Sequence, residues 1–231
     1  MRRLLETSAE PLLLDGREDA WAGVLLVHAP GESRSGNNFL MAQVAQTLAR
    51  AGLLTGRFDL SGQGDSLGPV DSARWLEQTA EAVLIMAELT PGPVHAIGHA
   101  ASAALIATAT GHRVALCPPA PAELRSLASL AGTRPTLVAS ADMTPKEREL
   151  WEALGTEPQL AEGLEFPVTV LTNLADLLEQ RPWDTAAVPA PAAAEHRSAL
   201  VVAERDRLLR LEVVRLGAAE LIAHHLASVN G

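Results

Sequence analysis

The sequence predicts an α/β fold with a mostly parallel central sheet flanked by helices. Two observations carry this. Between residues 22 and 119 short apolar runs alternate with longer segments of helical period, the pattern that a parallel sheet with crossover helices demands. Residues 93–112 then read as a buried strand that passes through a tight turn of small residues directly into a helix. With 231 residues, 48% of them hydrophobic, the chain is long enough to bury a full core as one domain.

Residues 4–14 suggest a hairpin at the sheet edge, closing at Asp15-Gly16. Residues 23–29 form a continuous apolar strand. Residues 39–51 follow as a helix, with Phe39, Leu40, Val44, Leu48 and Ala51 at helical spacing. A strand at 53–60 precedes a helix at 72–89 that carries Leu76, Ala80, Val83 and Ala87 on one face. The strand 93–99, the helix 100–110 and the strand 113–117 come next, the last stopping at Pro118-Pro119. Beyond it the pattern predicts a short helix to 130, a strand at 135–139, a polar helix at 145–154 and a strand at 168–171. Residues 186–194 are an Ala/Pro tract that reads as a stiff linker or surface crossing. Residues 199–203 fit a strand or a helix start, and 218–229 place Leu221, Ile222, His225, Leu226 and Val229 on a helical stripe, so a helical segment is expected over 195–231.

Eighteen Lys and Arg against 28 Asp and Glu give a net charge of −10 with no basic block, which argues against nucleic acid as a partner. No stretch is apolar enough for long enough to cross a bilayer. The amino terminus lacks the apolar core of a signal peptide, and the single Cys117 cannot close an internal disulfide. A cytoplasmic location is expected. The seven His residues show no metal-ligand spacing, and Gly62-Gln63-Gly64-Asp65-Ser66 lacks the Lys of a phosphate loop and reads as a tight turn. No cofactor and no metal are expected.

The turn at the end of strand 93–99 has the layout of a nucleophile elbow, whose motif runs Gly, any residue, nucleophile, any residue, Gly. In Gly98-His99-Ala100-Ala101-Ser102 the nucleophile slot falls on Ala100. A methyl group attacks nothing.

Three segments in order, residues 24–34 ending Gly31-Glu32-Ser33-Arg34, residues 57–66 and residues 97–102, resemble the α/β-hydrolase superfamily. More narrowly they resemble the hydrolases associated with exosortase systems, which carry a Gly-Glu-x-Arg element. The likeness extends through 135–145 and 166–176, covering about residues 20–185. It implies a Ser or Cys at the elbow, an acid after a late strand and a His after the last strand, the acid fixing the imidazole that relays the proton.

Carried over position by position, the acid slot falls on Asp142, which also suits a helix cap, and the His slot on Asp176. A second register uses residues 200–206 with Asp206 as acid, and puts Glu220 in the His slot, a helical turn before His224 and His225. Neither register supplies the imidazole. Were Asp142 and Asp176 neighbours, they would share a proton or hold a cation.

The resemblance also implies an oxyanion hole built from the N–H of Ala101 and one from the loop His28-Ala29-Pro30-Gly31. Pro30 has no N–H to give, so Ala29 or Gly31 would serve. Two readings follow. One is a relative without the standard nucleophile and base, binding a small acyl or ester ligand between His28, Ala100 and Asp142, or docking a protein partner. The other is a working serine hydrolase or acyl transferase using Ser102 with Asp142 and a His from elsewhere, His224 or His225. Cys117, ending a strand against two prolines, reads as a buried apolar residue.

Overall fold

In the computed structural model, residues 2–7, 10–17, 19–36, 39–116, 118–132, 160–161, 164–165 and 167–183 are described. Strands β1 (Arg2–Leu5), β2 (Leu12–Asp15), β3 (Gly23–Val27), β4 (Leu54–Arg57), β5 (Val94–His99) and β6 (Arg113–Leu116) form one six-stranded sheet in the order β1-β2-β4-β3-β5-β6. The pairs β4–β3, β3–β5 and β5–β6 are parallel, and β1–β2 and β2–β4 are antiparallel. Helices α1 (Leu40–Arg50), α2 (Ser72–Leu89) and α3 (Pro121–Gly132) and the nine-residue 3-10 helix Ala100–Thr108, here the elbow helix, lie between or after the strands. A two-stranded pair, β7 (Leu160–Ala161) and β8 (Leu164–Glu165), precedes helix α4 (Val168–Glu179).

The mostly parallel sheet buries both faces, which is why its strands read as unbroken apolar runs. Along β3, Val24 and Leu26 join the cluster formed with Leu40, Met41, Val44 and Leu48 of α1. Leu25 and Val27 point the other way, into the cluster of Trp75, Val83 and Met86 of α2, the elbow helix and Leu171, Leu174 and Leu178 of α4. Among the described residues no helix is long and apolar enough to cross a membrane.

Two expectations are corrected. The amino-terminal hairpin exists, but its strands pair Arg2 with Asp15 and Leu5 with Leu12, so the turn lies between Leu5 and Leu12 and Asp15-Gly16 ends the second strand. Thr7 shapes that turn, its hydroxyl accepting the N–H of Glu10 at 3.0 Å and donating to the Glu10 carbonyl at 2.6 Å. Residues 168–171 are the start of helix α4 and not a strand. Val170, Leu171, Leu174, Ala175 and Leu178 bury one stripe at the 3.6 period, and the short apolar run at its head imitates a strand when read alone. The segments predicted at 135–139, 145–154, 186–194, 199–203 and 218–229 lie outside the described residues.

The antiparallel edge is fastened by charge. Arg57 of β4 is 1% exposed and donates from Nη2 to Asp15 Oδ2 at 2.8 Å, while Arg2 Nε donates to Asp15 Oδ1 at 2.7 Å. Burial alone pushes the Asp15 carboxyl up; the hydrogen bonds and charges of Arg2 and Arg57 outweigh it and hold the group below its ordinary 3.8. A carboxyl held low when folded adds stability above its unfolded value and loses it as pH falls through the folded value. Asp15→Asn is therefore expected to cost about 3 kcal/mol near neutral pH, because it leaves the buried Arg57 charge unpaired. That difference from the parent should shrink below about pH 4, and urea denaturation at pH 7 and pH 3 measures both.

Candidate functional site

The carboxyl ends of β3, β4 and β5 bring three segments together: the loop from His28 to Gly36, the loop from Asp59 to Ser66 and the turn into the elbow helix. The turn has the geometry that a nucleophile elbow requires. Strand β5 ends at His99, and Ala100 takes a φ of 49°, in the left-handed region that L residues seldom occupy. The strand and helix then pass so closely that a Cβ on Gly98 would lie 2.6 Å from Ala103 Cα and 2.6 Å from the Ser102 carbonyl oxygen. Ala100 is half-buried at the tip, with only its methyl group to present.

Ser102 sits inside the elbow helix, is 0% exposed, and its Oγ has no hydrogen-bond partner. The structure therefore places Ser102 in the first turn of the helix, two residues past the strained tip at Ala100. Asp142, the proposed acid, lies outside the described residues, as do Cys117, Asp206, Glu220, His224 and His225. Asp176 lies in the third turn of α4 on an exposed face, where Arg125 Nη2 of α3 donates to its Oδ1 at 2.7 Å. It follows no strand, because the segment before it is helical, and it belongs to a surface ion pair. Among the described residues no group of His, Cys, Asp and Glu is arranged to hold a metal ion.

His28 is fully buried and braces two strand ends. Its Nδ1–H donates to the Ala29 carbonyl at 2.8 Å, and its Nε2 accepts the N–H of Leu60 at 3.1 Å. That pair of bonds needs the neutral ring. Burial lowers its pKa, against the smaller opposing effects of the Ala29 carbonyl, Asp59 and Glu32. His28 is thus committed to structure and has no ring nitrogen left for a ligand.

The loop donors are also committed. Ala29 N–H donates to Glu32 Oε2 at 3.3 Å and Gly31 N–H to Gln63 Oε1 at 2.6 Å. Glu32 Oε2 also accepts from His99 Nδ1 at 3.3 Å, which joins the loop to the residue before the elbow tip. His99 Nε2 is buried without a partner. The Gln63 loop is fixed from below, because Ser61 N–H donates to Gln78 Oε1 at 3.0 Å and Trp75 Nε1 donates to the Ser61 carbonyl at 2.8 Å. Arg34 closes the other side: its side chain pairs with Asp59 and reaches Asp65 Oδ2 at 2.8 Å, and its N–H donates to Asp59 Oδ1 at 2.6 Å. Ala101, second in the elbow helix, has an N–H that the helix itself cannot satisfy.

Glu32 and Gln63 were legible only as members of a Gly-Glu-x-Arg and a Gly-Gln-Gly string. Nothing in the spacing says that their side chains fold back onto loop amides.

The sequence of residues 24–229 matches the Alpha/beta hydrolase family. The chain belongs to that family. Its fold is similar to that of alpha/beta hydrolase domain-containing protein 10 from mouse, with a TM-score of 0.55 at 14% identity over 99% of both chains. A thioesterase domain from the curacin biosynthetic pathway gives a TM-score of 0.51 at 15% identity, again over 99% of both chains. The esterase Est1E from Butyrivibrio proteoclasticus gives 0.52 at 16% identity, over 75% of this chain and 70% of that one. None of the curated protein sequences matches this chain.

Ala100→Gly should relieve the left-handed strain of about 1–2 kcal/mol and give back part of it to unfolded-state entropy. The expected result is a melting temperature higher by about 2 °C. Ser102→Ala removes a buried unpartnered hydroxyl and should leave stability unchanged or raise it by about 1 kcal/mol. Differential scanning calorimetry of the two variants reads both.

Proposed function

We propose that this family member is non-catalytic and uses its elbow to bind a small neutral acyl or ester compound. The observation that carries the reading is Ala100. The backbone keeps the strained turn that serves a nucleophile, at a cost in stability, while the side chain offers no nucleophile. Strain of this kind persists where the turn serves contact with a ligand. The small side chain and the Ala101 N–H at a helix start suit a carbonyl oxygen better than they suit attack on it.

The committed loop amides support the same reading. An acyl-transfer enzyme needs donors aimed at the developing oxyanion, and loss of one such donor costs roughly two to three powers of ten in rate. Here Pro30 has no N–H, and those of Ala29 and Gly31 are donated to Glu32 and Gln63. Within the family, the Gly31-Glu32-Ser33-Arg34 element points toward the hydrolases associated with exosortase systems.

A fluorophosphonate probe and p-nitrophenyl butyrate separate this from the enzyme reading. The proposal expects no covalent labelling and no turnover above the Ser102→Ala variant, while methyl butanoate raises the melting temperature in a dose-dependent way. Labelling that disappears in Ser102→Ala would establish instead an active hydrolase using that serine.

A further inference from the structure

We propose that strand β1 is an association edge, on which a second copy of this chain adds in antiparallel register and joins the two sheets across a two-fold axis at Leu4. β1 ends the six-stranded sheet, and β2 is its one neighbour among the described strands. One row of its main-chain N–H and C=O groups therefore has no described strand to pair with. Sheet edges are commonly blunted by proline, by a bulge or by charge that repels an incoming strand. Residues 2–7, Arg-Arg-Leu-Leu-Glu-Thr, contain no proline, and β1 pairs with β2 residue for residue from Arg2 to Leu5 without a bulge. The charges on this edge are of both signs, and their spacing suits a copy of the same strand.

Side chains alternate along this segment. Arg2, Leu4 and Glu6 are exposed while Arg3, Leu5 and Thr7 are half-buried, so the first three share one face of the sheet. Leu4 puts a large apolar side chain, 51% exposed, at the middle of that row. On one side of it Arg2 gives its Nε to Asp15 with its side chain still 53% exposed, which leaves the terminal nitrogens available. On the other side Glu6 has no partner among the described residues.

Hydrogen bonding and charge together choose the register. In an antiparallel pair a residue whose N–H and C=O point outward has to face another such residue, and these alternate along the strand. The two-fold axis therefore falls on a residue and not between two residues. Centred on Arg3, the pairing sets two guanidinium groups against each other and Arg2 against Leu4. Centred on Leu5, it sets Leu4 against Glu6. Centred on Leu4, it sets Leu4 against its own copy and Arg2 against Glu6 at both ends, so that apolar meets apolar and each charge meets its opposite. The contact is isologous and closes at two copies, because each β1 is then paired on both sides. With β1 only four residues long the buried area is small, so the association is weak and depends on concentration.

Sedimentation velocity of the full chain, from micromolar to millimolar concentration, is expected to show a reversible equilibrium of monomer and dimer that weakens as salt is raised. Glu6→Arg sets arginine against Arg2 and should weaken the dimer by roughly tenfold or more with the melting temperature unchanged. Oxidation reads the register. In a Cys117→Ser background Leu4→Cys should cross-link to a dimer, because residues opposite one another across the pair stand within disulfide reach. Glu6→Cys lies opposite Arg2 and not opposite its own copy, and should not cross-link. A chain that sediments as a monomer at every concentration overturns the proposal. So does a dimer that Glu6→Arg leaves intact, or one that a folded Leu4→Cys captures no better than Glu6→Cys does, since such a dimer forms on another face. If Leu4→Cys does not fold, the responses to Glu6→Arg and to salt decide.

Discussion

The passage from β5 into the elbow helix is the constraint around which the site is organised. Gly98 has to lack a side chain because the helix crosses over it at a distance where a Cβ would strike the backbone of Ser102 and Ala103. That close crossing forces the reversal at Ala100 into the left-handed region. It also lifts the tip clear of the sheet while packing Ala103, Ala104, Leu105 and Ile106 completely into the core. The strain is thus held in place by burial on the helix side, and relaxing the turn would expose that apolar face.

The loops above the turn depend on that placement. His99 reaches Glu32 because the strand ends where it does, and Glu32 then takes the Ala29 amide. Gln63 reaches Gly31 because α2 pins its loop through Gln78 and Trp75. The outcome is a rim whose amides are bonded by side chains of the protein itself. In a catalytic site such amides stand open toward the reacting oxygen. Here the amides of Ala29 and Gly31 are bonded to Glu32 and Gln63.

Much of this was readable in the sequence, for physical reasons that differ from place to place. The parallel sheet was legible because strands buried on both faces leave continuous apolar runs, as at Val24, Leu25, Leu26 and Val27. The elbow was legible because Gly98 stands where a Cβ would strike the backbone of Ser102 and Ala103, and the residues that follow it into the helix are small. Helix α4 was misread because Val168, Thr169 and Val170 carry the β-branched signature of a strand, whereas the stripe that declares a helix continues only at Leu174 and Leu178. Asp176 lost its place in the site with that correction. The roles of Glu32 and Gln63 were not legible, because a side chain folding back on a loop amide depends on three-dimensional closure and leaves no period.

Amide chemical-shift mapping tests the central claim, that the elbow has been kept as a binding element, most directly. In the ¹⁵N-labelled chain titrated with methyl butanoate, the account predicts saturable shifts centred on Ala101, with smaller ones at Ala29 and His99. Shifts centred elsewhere on the molecule, or a spectrum that methyl butanoate leaves unchanged, would contradict it.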